Sequence, residues 1–397
     1  MADDMVGKLQ AIDSAILTDV VRQDQHSPLF EVTGWSVRRL SDKGVTNPDG
    51  LWLFSGAGYD NAGSRSWSVV LKILHRQEPE LPLSDLWHWK REFFVAQSGL
   101  LARLPGPVKA PRFYRTEETS DGAWLWQEYV QTQRPGAAWG VAEYAFAARQ
   151  LGQWNGACLT NQPMPAEPWL IRQHYHSWFH QTNPEQDFQF VLNRQHIVGD
   201  TRTRYEQLWA DRKQFYRVLE TLPQVFSHFD SQRRNLFIRK SKDEQDELVL
   251  IDWAFCGLGP LGAELFALVL MSATLFEWPP STVAQLDAAV FGRYLHGLGE
   301  AGWSGDATGV RLGYVAWVAI WWGVVFPHIG VFWCTPELRL QAVQTFGLAE
   351  EELYVQWLPL LSYALDCADE ARVLMKQLGL SSEQEETVYL AAPNLPL

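Results

Sequence analysis

The sequence predicts an α+β chain of two lobes, an antiparallel β-rich lobe over residues 1–130 and a larger α-rich lobe over residues 131–397. Three observations lead there. At 397 residues the chain exceeds what one hydrophobic core usually spans. Its early part sets short apolar runs rich in β-branched residues between turn residues. From about residue 140 the apolar residues recur at helical spacing instead.

The strands come first. Residues 1–34 read as a short helix and an approach segment. "WSVRRL" at 35–40 alternates like a strand, and "SDKGVTNPDG" turns the chain on Gly44, Asn47, Pro48 and Gly50. "LWLFSG" returns, "AGYDNAGSR" turns again, and "SWSVVLKIL" is a strong strand. Alternation places Lys72 on one face with Val70 and Leu74. A lysine on an apolar strand face needs a partner, or an edge from which it reaches water. The next segment predicts a helix from an N-cap at Ser84, through Leu86, Trp89, Phe93, Ala96 and Leu100, to a stop at Pro105-Gly106. Glu92 falls on the margin of that stripe, where it can turn inward to Lys72. "AWLWQEYV" at 123–130 is another strand, and "QTQRPGA" loosens the chain.

The helices follow. Val141, Tyr144, Ala148, Leu151 and Asn155 share a stripe, and a further helix is expected over about 202–220. "LGYVAWVAIWWGVVFPHIGVFW" at 312–333 holds no Asp, Glu, Lys or Arg. Its length suits a bilayer, but Pro327, His328 and three glycines interrupt it, so a buried core helix ending near Phe326 is expected.

Composition narrows the partners. Lys plus Arg number 33 against 46 Asp plus Glu, a net charge of −13. That balance argues against nucleic acid or an anionic membrane and suits a cationic small substrate. Cys158, Cys256, Cys334 and Cys367 form no CxxC pair, consistent with a reducing cytoplasm and no disulfide framework. "MADDMVGKLQ" lacks a basic region followed by an apolar run, so no signal peptide is expected. The 20 tryptophans are expected mainly in the core, with some lining a pocket.

The chemistry concentrates in "HFDSQRRN" at 228–235 and the "IDW" that ends on Trp253. Between them "LFI", a polar turn and "LVLI" predict a β-hairpin. Antiparallel pairing brings the start of its first strand and the end of its second to one rim. Asn235 and Asp252 flank that rim. An amide oxygen beside a carboxylate suits a hard cation, Mg²⁺ best, because phosphates can complete its shell. Asp230, in the same loop, is placed to accept or orient a hydroxyl proton. Lys, Glu, Asp, Asn and Asp, in that order across a β-rich and an α-rich lobe, is the layout of a kinase-type phosphotransferase.

"HFDSQRRN" with "LVLIDWAFCGLGPLGAEL" resembles the H-x-D-x4-N and I-D-W segments of the aminoglycoside phosphotransferase family. The resemblance spans roughly residues 36–270 and implies a protein-kinase-like fold, ATP and Mg as cofactors, and a small hydroxyl-bearing substrate. It implies Asp230 as catalytic carboxylate and Asn235 and Asp252 as metal ligands. Lys72 holds the α- and β-phosphates with Glu92 as its partner. "QEYV" resembles the hinge, with the Glu128 carbonyl and the Val130 N–H meeting adenine, so those side chains are expected to tolerate change. His228 braces the catalytic loop. The loop after the first strand is not G-x-G-x-x-G, so the phosphate cover rests on Ser41, Gly44, Thr46 and Asn47, and the family's later Asp is replaced by Glu264, in a bracing or substrate-facing part. Arg233 and Arg234 suit either an anionic group or a solvated loop, and the solvated loop is the expectation.

Other classes remain open at this point. A nucleotide-binding pseudokinase with a scaffold role would not need Lys72, Asp230, Asn235 and Asp252 together. Choline and other amino alcohols compete with sugars and amino sugars as acceptor. Glu277 and Trp-rich helical segments are available for that pocket. His174, His176 and His180 lack an H-E-x-x-H pattern and are expected to be plain core or surface residues. Cys256 is expected to be buried and inert.

Overall fold

A computed structural model describes residues 2–40, 50–131, 139–161, 164–172, 184–241, 243–325 and 345–380. The early strands form one five-stranded antiparallel sheet. Its members are β1 (Glu31–Arg39), β2 (Leu51–Asp60), β3 (Gly63–His75), β4 (Phe113–Thr119) and β5 (Gly122–Glu128), in the order β1-β2-β3-β5-β4. Lys72 lies opposite Leu51 on β2 and Leu125 on β5, in the middle of the sheet.

Alternation along β3 divides the two faces. Trp67, Val69, Leu71 and Ile73 pack with Leu9, Leu17, Val20 and Val21 of two N-terminal helices, α1 (Ala2–Gln10) and α2 (Ser14–Asp24). Leu74 packs on the other face with Ala123, Leu125 and Phe93 of α3 (Arg91–Ser98). Lys72 shares that inner face.

The expected helix from Ser84 is shorter than its apolar spacing implied. Asp85 accepts from the Trp87 N–H at 2.8 Å, which fixes a turn there, and α3 begins only at Arg91. Gly99, at φ 66°, ends it before Pro105 is reached.

The helical lobe starts with α4 (Val141–Asn161), where Tyr144, Ala148, Leu151 and Asn155 are fully buried. Val141, expected on the same stripe, is exposed. After β6 (Ile171–Arg172) come α5 (Pro184–Leu192) and α6 (Gly199–Thr221). β7 (Gln224–Ser227) pairs with β10 (Gly257–Pro260), which also pairs with β6. Between them stands the expected hairpin, β8 (Leu236–Lys240) with β9 (Asp246–Leu250), Leu236 opposite Leu250. Lys109, leading into β4, bonds to β9 through Leu248 and Leu250 and so ties the approach to the sheet to the hairpin.

The remaining helices are α7 (Glu264–Thr274), α8 (Val283–Glu300), α9 (Ala307–Ile320) and α10 (Glu350–Gln377). The apolar stretch from 312 falls on α9 and the π turn that follows it. Among the described residues, Ala307–Val325 is the one helix long and apolar enough to cross a membrane, and 83% of its most apolar window is buried inside the protein.

Candidate active site

Lys72, Glu92 and Asp252 meet between the sheet and the hairpin. The Lys72 Nζ pairs with Glu92 and lies 2.8 Å from Asp252 Oδ1. Burial opposes the lysine's charge, but Asp252 and Glu92 outweigh it and hold its pKa above the usual value. The two carboxylates differ. The Glu92 side chain is 2% exposed, and burial pushes its pKa up against the pull of Lys72. The Asp252 side chain is 42% exposed, and Lys72 overcomes the effect of burial to hold its pKa down. Asp252 therefore keeps its charge and part of its surface.

Asp230 and Asn235 form the second half of the site. Asn235 Nδ2 donates to Asp230 Oδ2 at 2.7 Å and to the Asp230 carbonyl at 2.9 Å. Both bonds use the amide nitrogen, which leaves the amide oxygen as the atom to meet a cation. Gln232 Nε2 donates to Asp230 Oδ1 at 3.0 Å, a contact not anticipated from the sequence. Burial, then the charge of Asp252, raises the Asp230 pKa well above the ordinary aspartate value.

Two non-glycine residues in left-handed backbone mark these loops. Asp252 has φ 63° and Phe229, just before Asp230, has φ 60°. Each costs about 1–2 kcal/mol and persists only where the surroundings over-determine it. At Phe229 they do. The buried Glu264 accepts from the His228 N–H at 2.7 Å and the Phe229 N–H at 3.4 Å. The Phe229 ring stacks on Trp317 of α9 at 5.1 Å, and a Cβ on Gly259 would collide with it. The apolar helix is thus the floor under the loop that carries Asp230.

His228 links the two halves. Its Nδ1 accepts from the Asp230 N–H at 3.2 Å, so Nε2 carries the proton and donates to the Ile251 carbonyl at 3.0 Å. Burial pushes its pKa down to about 4, which keeps the ring neutral and this tautomer in place. Ile251 in turn donates to the Asn235 carbonyl at 3.0 Å.

The family described as APH, phosphotransferase enzyme family, matches residues 59–305, more than half of the chain. The chain belongs to the APH phosphotransferase family. It is a phosphotransferase, built as an antiparallel sheet region followed by a helical region. No curated protein matches the sequence. A choline/ethanolamine kinase family protein from Mesorhizobium loti is 14% identical, with a TM-score of 0.47 over 94% of this chain and 100% of that one. An amicoumacin kinase in complex with AMP-PNP, Ca2+ and Ami is 13% identical, with a TM-score of 0.44 over 92% and 96%. An aminoglycoside phosphotransferase from Alicyclobacillus acidocaldarius is 14% identical, with a TM-score of 0.44 over 80% and 90%.

Several expectations for this phosphotransferase change. Ser41, Gly44, Thr46 and Asn47 lie outside the described residues, as do His174, His176, His180 and Cys334. Arg233 is not a solvated loop residue. It is 6% exposed, donates to the Leu236 carbonyl at 3.1 Å and stacks over Trp139 at 4.4 Å. Arg234 is partly exposed and paired with Glu277 at 2.7 Å, so that carboxylate already has a cation. Cys256 is buried as expected, its thiol pKa pushed up to about 12. Among the described residues no cluster of three or more His, Cys, Asp or Glu side chains could hold a metal ion by itself.

The side chains expected at the hinge have packing and partners of their own. Val130 is buried. The Glu128 side chain, expected to tolerate change, reaches Arg239 of β8 at 2.6 Å and Arg112 at 3.3 Å. It stands at the end of β5 facing the hairpin, so it braces the sheet on the hairpin. Glu128→Ala should lower stability by about 1–3 kcal/mol in urea titrations, the scale of charge-assisted bonds. Arg239 and the Arg112 N–H hold the Glu128 pKa down against burial. A depressed pKa gives stability that is full above the ordinary glutamate range and lost as pH falls through the folded value. The gap between wild type and variant should narrow in acid. Equal stability at neutral pH would show that the brace contributes nothing.

Proposed function

We propose that this kinase transfers the γ-phosphoryl group of ATP, with Mg²⁺, to a hydroxyl of a sugar or amino sugar, with an amino alcohol as the second acceptor class. One observation carries the reading. A single lysine, Lys72, faces three clustered carboxylates, Glu92, Asp252 and Asp230. A triphosphate would be repelled there unless a divalent cation entered with it. The donor set suits that cation, since the Asn235 amide oxygen and the Asp252 carboxylate are hard oxygen ligands and few in number. When bound, Mg²⁺ supplies charge neutralisation at the transferred phosphoryl group.

The chain's own residues do the rest. Lys72 leaves its resting contact with Asp252 to hold phosphate oxygens while Glu92 keeps its amine aligned. Asp230, oriented by Gln232 and Asn235, accepts the hydrogen bond of the acceptor hydroxyl and takes its proton. Glu264, His228 and Phe229 keep that carboxylate in place. The net charge of −13 and the wealth of aromatic residues support a cationic or sugar-like acceptor, and the cytoplasm supplies the nucleotide.

Phosphate transfer from ATP should be screened against sugars, aminoglycosides and amino alcohols. Nucleotide binding without transfer to any of them would favour a scaffold role. Asp252→Ala should weaken ATP binding in Mg²⁺ by about tenfold or more and leave metal-free binding nearly unchanged. Equal losses with and without Mg²⁺ in titration calorimetry would mark Asp252 as structural.

A further inference from the structure

Arg91 sits one residue before Glu92 and is 1% exposed. A guanidinium carries five N–H donors in a planar fork. Here all five meet main-chain carbonyls. Nε donates to Trp169 at 2.8 Å. Nη1 donates to Leu86 at 2.8 Å and to Ala254 at 3.1 Å. Nη2 donates to Leu83 at 3.1 Å and to Asp85. Burial lowers its pKa to about 10, which still leaves it charged at neutral pH.

These carbonyls come from three separate parts of the chain. Leu83, Asp85 and Leu86 form the approach to α3. Trp169 lies in the helical lobe just ahead of β6. Ala254 lies two residues after Asp252. Arg91 and Glu92 therefore reach opposite sides of one junction: Glu92 grips Lys72 from the sheet, and Arg91 grips the loop that carries Asp252. We infer that Arg91 is a positioning residue for the nucleotide and metal site, holding α3 against the Asp252 loop so that Glu92, Lys72 and Asp252 stay within reach of one another. Only arginine suits the place. Lysine has three donors on one point, and a neutral side chain would leave several buried carbonyls without partners.

The inference rests on the kinase reading only where nucleotide binding is the readout. Arg91→Lys and Arg91→Gln should each be measured for melting, for Mg²⁺·AMP-PNP affinity, and for hydrogen exchange in residues 91–98 and 253–256. The expected result for a folded variant is an affinity at least about tenfold weaker, the scale of a misplaced binding group. Its α3 and Asp252 loop should both exchange faster. Combined with Glu92→Gln, the affinity losses should be less than additive, because both residues act on the same contact. A merely structural arginine would give additive losses. A folded variant with full affinity and unchanged exchange, or additive losses, would overturn the inference. If the wild type binds no nucleotide, the kinase reading fails, and exchange alone tests Arg91. If neither variant folds, the wild type decides: residues 91–98 and 253–256 must open as one cooperative unit, and separate opening overturns the proposal.

Discussion

Asp230→Asn should fold normally, still bind ATP with Mg²⁺, and lose phosphoryl transfer by at least about a hundredfold, the usual scale for a catalytic acid or base. The structure gives reasons for both halves. The substitution is nearly isosteric, and Asn235 can still donate to the retained Asp230 backbone carbonyl at 2.9 Å. An amide oxygen at Oδ1 can still accept from Gln232 Nε2, as the carboxylate does at 3.0 Å. The loop is also held from outside, by Glu264 on the His228 and Phe229 amides and by Phe229 on Trp317. What the amide lacks is the capacity to take a proton from the acceptor hydroxyl. A rate close to wild type, with melting and nucleotide affinity unchanged, would remove Asp230 from the chemistry and leave positioning alone to explain catalysis.

The hairpin and its two flanking residues were legible because they are local. Two apolar runs around a polar turn dictate antiparallel pairing, and pairing dictates that Asn235 and Asp252 share a rim. Lys72 was legible for a similar reason, since a charge in the middle of an apolar strand needs a partner. The misses share a different cause. Leu86 and Trp89 continue the spacing of α3 although their backbone is in turns. Those turns are held by Arg91 donating to Leu83, Asp85 and Leu86, bonds that hydropathy does not register. Strand β4, "FYRTEET", went unseen because most of it is half-buried and it shows no clean alternation. Arg91 itself drew no notice in the sequence, because its role depends on carbonyls at Trp169 and Ala254, far along the chain. Arg233 reads as solvated until Trp139 is placed over it. The sequence shows which groups are chemically unusual. It does not show backbone carbonyls as ligands, and much of this site is tied together through them.

The heaviest test of the proposed phosphate-binding half is Lys72→Met. Methionine keeps an unbranched stem of similar length and removes the charge, so packing against the sheet should survive. Removing one partner of a buried ion pair commonly costs about 3–5 kcal/mol. The loss here should be smaller, about 1–2 kcal/mol, because neither carboxylate need stay stranded. Glu92, whose pKa burial already raises, can take up a proton, and Asp252 is 42% exposed and can turn to water. Transfer has no such escape, since no other ammonium or guanidinium pairs with these carboxylates among the described residues. Loss of one preorganised charge clamp should reduce turnover by about a hundred- to a thousandfold. The double variant Lys72→Met with Glu92→Gln should regain most of the lost stability and none of the activity. If stability and turnover instead recover together, Lys72 serves the fold rather than the phosphates, and the junction of sheet, α3 and Asp252 loop is a structural ion cluster.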